Sequence, residues 1–519
     1  MRNSLLVLAL VAGCRDEFHL PPGRDAGNAA PLAQAGTGSS YRVLSTVTVD
    51  GRGSFDPDGS IVAFHWTLIS APPGNSAALS GSETSVASFV PDKVGVYALR
   101  LRVADDAGAI DTGDIMVMVV GPALVVDAGV DLTVPWLSRV QLSGSMTVEA
   151  PFTATYQWSL VGGPAGSAAV LANASSLTPT FLADRDGTYT ISLTARSDFQ
   201  TLTDQVTVVA TTVPQMLDEV QEVEYSPALD RLIVIGYHTT NLKIHDPSTG
   251  VDALVDLTQL NPTSLSLQRS GMLAAVFIST PGNGVAIVDL QSRTLERLIP
   301  TPDASGAEFG LGNRLYTMDM YGQLITLDAV TTGAVASNEY FGNEYLRIDP
   351  SGAVMYLFPS FGGTSATRVN ISTAALTVQH QVDVDAQVSL QPPVYFTADG
   401  SSVITSDGVI LRTSANAAVD LTVRGMLGMR ADAFAHSLTT HEFAVLTAER
   451  DSMGNFAGTR LTLINDTTLV TRLTTMIPRA NGQLLPPNWI GYRADGRSLL
   501  IVAGPPYSTG NVLFVVTPP

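Results

Sequence analysis

The chain of 519 residues has one cysteine, two lysines and few charges of any kind, since Asp, Glu, Lys and Arg together make up 14% of it. A single cysteine excludes an internal disulfide, so packing must hold the folded state. So low a charged fraction excludes long solvated helices and coiled coils, which are built from charged residues. The 28 basic residues face 47 acidic ones, for a formal charge of −19. That sign repels the phosphates of nucleic acid, and no nucleic-acid partner is expected. Also missing are a Gly-x-Ser-x-Gly elbow, a phosphate-cradling loop and the histidine spacing of a helical metalloprotease. No catalytic residue is therefore assigned. Present instead are 45 Gly, 30 Pro and 45% hydrophobic residues, the composition of a β-rich, turn-rich protein. At roughly 150 residues per domain, three domains are expected.

At the N-terminus, Arg2 precedes the run Leu5-Leu6-Val7-Leu8-Ala9-Leu10 and then Val11-Ala12-Gly13-Cys14. This resembles a bacterial lipoprotein signal, whose pattern is an aliphatic residue, two small ones and an obligatory cysteine. The resemblance implies a signal peptide over 1–13, lipidation of Cys14 and membrane attachment through it. The apolar run falls far short of the ~20 residues that span a bilayer. Several acyl chains, at about 0.8 kcal/mol per buried CH₂, would hold the protein there permanently. Arg15, standing where Asp would resemble an inner-membrane retention signal, points to the outer membrane of the cell envelope. Residues 14–30 lack periodicity and read as a flexible tether.

Self-comparison finds a repeat. Trp66 and Trp158, Phe89 and Phe181, Gly95 and Gly187, and Tyr97 and Tyr189 are each 92 positions apart, and Gly36 and Gly129 are 93 apart. Short alternating segments between turn signals give each copy the pattern of an all-β sandwich, with the aromatic positions in the core. Copy one carries Asp56-Pro57-Asp58-Gly59, His65-Trp66, Ala71-Pro72-Pro73-Gly74, Gly95-Val96-Tyr97 and Asp105-Asp106-Ala107-Gly108. These residues resemble PKD-like, immunoglobulin-type repeats of bacterial surface proteins, over 31–121 and again over 122–212. In copy two Thr147-Val148-Glu149-Ala150-Pro151 replaces the Asp-Pro-Asp-Gly turn. With Gly121-Pro122 as the linker, the two sandwiches are expected to form a semi-rigid spacer. Asp56, Asp58, Asp105 and Asp106 should meet at one pole, where carboxylates suit calcium; solvated turn chemistry is the competing explanation.

After residue 215 the period changes. Turn signals precede compact apolar strands at 230, 271, 312, 352, 400, 441 and 496. Steps near 40 residues with several strands each mark propeller blades, and seven anchors predict seven blades over 216–519. Ser226-Pro227, Asp349-Pro350-Ser351-Gly352 and the Asp-x-x-Thr-Gly turns resemble YVTN-type propellers. Asp246, Asp289 and Asp328 end the next strand of three units and are read as turn caps. The longer fifth and sixth intervals are assigned to loops including 449–458 and 478–487. The last blade is expected to take its outer strand from residues near 220–225, closing the ring.

The fold class is thus all-β: two tandem immunoglobulin-like sandwiches followed by a seven-bladed β-propeller. The mouth of such a ring is the default ligand site, because loops of every blade converge there. Tyr237, His238, Arg314, Tyr321 and Tyr345 are its candidate residues. The leading functional expectation is a non-enzymatic surface lipoprotein presenting a propeller to a protein or glycan ligand. A metal-dependent propeller hydrolase or lactonase and a structural envelope component are the alternatives.

Overall fold

The computed structural model describes residues 27–518 except 238, 259, 280–283, 302–305, 320, 332–333, 343, 361–362, 374, 386–387, 391, 481 and 506–508. Cys14 and His238 therefore lie outside the described residues. Every element is a β-strand. The chain divides into two compact units: 1–127 with 145–157 and 193–204, and 128–144 with 158–192 and 205–519.

The first sandwich pairs Ser40–Arg42, Ile110–Val120, Gly95–Asp105 and Ile61–Ser70 in one sheet and Val47–Asp50 with Val86–Phe89 in the other. The alternation in the sequence is the reason: Tyr97, Leu99, Leu101 and Val103 are buried while the residues between them point outward. Trp66 sits against this face at 1% exposure. The second sandwich repeats the plan, with Thr155–Gly162, Gly187–Arg196, Thr201–Thr211 and Leu132–Pro135 in one sheet. The duplication extends to side-chain chemistry. The Tyr97 hydroxyl donates to the Lys93 carbonyl at 2.9 Å, and the Tyr189 hydroxyl to the Arg185 carbonyl at 2.9 Å. Phe89 and Phe181 pack their rings on these tyrosines at 5.3 and 5.2 Å.

The rest of the second unit is a seven-bladed propeller, each blade a four-stranded antiparallel sheet. The strand that follows each turn signal is the second of its blade and is covered on both faces, hence its unbroken apolar sequence, as in Leu232–Ile235. The innermost strands are Glu222–Ser226, Pro262–Leu267, Glu308–Phe309, Glu344–Ile348, Val394–Phe396, Ala433–Ser437 and Pro487–Tyr492.

Two expectations are corrected. The strand that closes the ring is Gln215–Asp218, paired with Asn511–Val516, whereas Glu222–Ser226 is the innermost strand of blade one. The short segment serves because Leu217, fully buried, fills the seam between blades one and seven with Val502 and Leu513. The residues around 449–458 are no loop either: Glu442–Arg450 and Phe456–Asn465 form a long paired hairpin.

The second unit also holds a joint that the sequence did not announce. Trp136 and Leu137, on a turn of the second sandwich, share one buried core with Leu463, Ile477, Ala480, Leu485 and Phe514 of blades six and seven. The Trp136 and Phe514 rings lie edge to face at 6.4 Å. The Trp136 indole N–H donates to the Asp184 carbonyl at 3.3 Å, which also accepts the Thr475 hydroxyl of blade six. Part of the long sixth interval, around 477–485, is thus spent seating the sandwich.

Candidate functional site in the central channel

An innermost strand has one edge without a strand partner, and its backbone groups must find other satisfaction. Here side chains of one blade reach the backbone of the next. Glu222 accepts from the Leu265 amide at 2.6 Å, Ser266 from the Phe309 amide at 3.1 Å and Glu308 from the Ile348 amide at 2.8 Å. The Tyr395 hydroxyl donates to the Asp432 carbonyl at 2.7 Å. These links run around a cavity of about 660 Å³ lined by the innermost strands of blades one to six.

The lining is acidic, with five carboxylates against two guanidinium groups. Arg347 pairs with Glu308 at 2.7 Å and lies over the Tyr345 ring, 5.5 Å from its centroid. Glu222 is occupied by the Leu265 amide. Two carboxyls are left over. Glu224 makes no hydrogen bond among the described residues, and burial, reinforced by the neighbouring Glu222, pushes its carboxyl up to about 8. Glu344 has a buried oxygen without a partner, and burial alone pushes its carboxyl up to about 7. Burial likewise carries the Tyr345 hydroxyl up to about 12. Glu222 and Glu344 pair with the last residues of the second strands of their blades, so both stand at one rim, with Glu224 deeper.

Of the residues expected at the mouth, Tyr345 lines the cavity. Tyr237 and Tyr321 occupy exposed turns between second and third strands and do not line it. Arg314 begins the second strand of blade three, and its guanidinium donates to the carbonyls of Ile371 and Thr373 in blade four. It is a tie between blades. The glutamates and Arg347 were missed, although the acidic residues of Glu222-Val223-Glu224 stand just before an apolar second strand.

The turn-capping aspartates behave as their position suggests. Asp246, Asp289 and Asp328 each accept two backbone amides of the following turn. At the pole of the first sandwich, Asp105 accepts the Ala107 and Ala109 amides and the Asn28 side chain, and Asp58 accepts the Ala29 amide. Asp106 accepts the Ser60 amide at 3.3 Å, and a Cβ on Gly59 would lie 2.5 Å from Asp56 and 2.6 Å from Asp106. The four carboxylates do share this pole, largely engaged with backbone. Among the described residues no group of three His, Cys, Asp or Glu side chains is arranged to hold a metal ion.

Comparison with known proteins adds the following. A family model described as a PKD domain matches residues 38–119 and 128–210. The human dyslexia-associated protein KIAA0319 is 40% identical over 88 residues, 16% of this chain and 8% of that protein. Among solved structures, the β-propeller domain of Myceliophteria thermophila Cps50 (Swd1) is 15% identical, covering 59% of this chain and all of the other, with a TM-score of 0.43. The PKD domain of KIAA 1837 protein is 26% identical, covering 19% of this chain and 93% of the other, with a TM-score of 0.16. Both sandwiches therefore carry PKD-domain sequence.

Proposed function

We propose that this protein is a lipoprotein of the bacterial cell envelope, tethered through Cys14, in which PKD-like sandwiches support a propeller that binds a protein or glycan. The observation that carries the binding role is the channel: a cavity on a closed ring, with polar groups converging on it whose hydrogen-bonding capacity is unmet. Rigid scaffolds with a few convergent polar groups are the usual form of a ligand site. The anchor rests on the sequence around Cys14, and the outer membrane is its proposed address.

Two experiments test the proposal. Cells expressing the full chain and a Cys14→Ser variant are labelled with an alkyne fatty acid. Label and membrane association in the first and their loss in the second are expected; equal behaviour overturns the anchor. Purified protein is then applied to glycan arrays and intact bacterial envelopes. Saturable binding that excess unlabelled protein competes away is expected. Absence of such binding, together with turnover on a panel of esters and lactones, replaces the scaffold by an enzyme.

A further inference from the structure

Glu308 shows what Glu224 lacks. Both carboxylates lie on innermost strands, but Glu308 receives the Arg347 guanidinium at 2.7 Å and the Ile348 amide at 2.8 Å. Glu224, one blade pair away, receives nothing among the described residues. A buried ionisable carboxyl without a partner is costly, and a cation that enters the cavity would relieve that cost. Tyr345, Tyr395 and Phe434 line the same space, and aromatic faces attract organic cations by about 0.5–2 kcal/mol each. A bare metal ion fits less well, because it needs several anionic or imidazole ligands about one point, and no such triplet exists among the described residues.

We propose that the channel binds a protonated alkylamine, such as a lysine side chain presents, with its ammonium group against Glu224 and its stem among the lining aromatic rings. This deepens the scaffold reading, on which it rests, by giving the chemistry its channel takes. Glu344 at the rim adds a second negative group on the way in. Because Glu224 holds a proton near neutral pH when the channel is empty, binding of the amine releases that proton and strengthens as pH rises from 6 to 9.

The test is calorimetric titration of the full-length protein with n-butylamine, Nα-acetyl-lysine methylamide and the uncharged Nα-acetyl-norleucine methylamide. Both amines are expected to bind and the norleucine compound not to. Tighter binding of the lysine compound assigns the site to a lysine side chain; equal binding assigns it to free amines. Glu224→Gln, which keeps shape and removes charge, lowers amine affinity roughly tenfold, the loss of one charge-assisted contact, and flattens the pH dependence. Its melting temperature verifies that the ring is intact. Amine binding no better than the norleucine control, or unchanged by Glu224→Gln, overturns the inference. If the amines fail while envelopes or glycans still bind saturably, this inference falls and the scaffold reading stands. If the amines bind and no macromolecule does, the reverse holds.

Discussion

Asp230 and Arg493, 263 positions apart in the chain, form an ion pair that ties blade one to blade seven. Arg493 Nε lies 3.0 Å from Asp230 Oδ1, and the second guanidinium nitrogen holds the other oxygen. The Tyr225 hydroxyl donates to the same Asp230 oxygen at 2.7 Å while accepting the Ala494 amide at 2.9 Å. Together with the Gln215–Asp218 strand this makes the seam of the ring a polar clasp over an apolar weld.

Breaking the clasp should have a modest, pH-dependent cost. The Arg493 hydrogen bond holds the Asp230 carboxyl below its ordinary range. Its contribution is therefore present above that range and lost as pH falls through the lowered value. Arg493→Ala is expected to destabilise the protein by about 1 kcal/mol at pH 7, the ceiling for a partly exposed pair. The difference should vanish in acid. Denaturant unfolding of both proteins at pH 7 and pH 3 measures it, and a cost that persists at pH 3 would assign it to lost packing.

The apolar weld should matter more. Leu217 is fully buried in the closing strand, and a buried Leu→Ala change typically costs about 2–5 kcal/mol. Leu217→Ala is expected to lower the unfolding midpoint far more than Val213→Ala, since Val213 in the preceding connector is 86% exposed. Equal effects would show that closure does not limit stability.

The channel gives a prediction of opposite sign. A carboxyl whose folded value is raised takes up protons on folding, so its stabilising share is full in acid and is lost as pH rises toward about 8. Glu224→Gln should melt with the wild type at pH 5 and above it, by roughly 2 °C, at pH 8.5. Parallel melting curves across that range would mean that Glu224 is ionised in the folded ring at no cost.

The joint can be probed by one change. Trp136→Ala removes a ring buried between sandwich and propeller, for which about 3–5 kcal/mol is expected. Limited proteolysis should then cut near Ile477–Leu485 sooner than in the wild type. An unaltered cleavage pattern would show that this segment holds its place without the sandwich.

The pattern of what was legible follows from burial. The second strands of the blades announce themselves because both of their faces are covered, as in Leu499–Ala503. The duplicated cores of Trp66 and Trp158 stand out because identical positions face identical surroundings. Innermost strands such as Glu344–Ile348 hide because their partners belong to other blades, so Glu308 and Ile348 meet across 40 positions. Gln215–Asp218 hides because four residues with one deeply buried side chain carry no periodicity. The candidate ligand residues were sought on turns, which put Tyr237 and Tyr321 in solvent, whereas the acidic groups project from strands.

The Trp136–Leu137 turn has a counterpart in the first sandwich, at Val43–Leu44. Leu44 and Leu137 share a left-handed backbone, with φ of 64° and 65°, yet Leu44 is 54% exposed and Leu137 wholly covered. The ancestral module owned the protruding knuckle before the ring came to grip it. A protein cut at residue 213 to liberate the propeller would lose the plug from a socket between two blades. Whoever prepares that fragment should expect a sticky, aggregation-prone body where the intact chain is sealed.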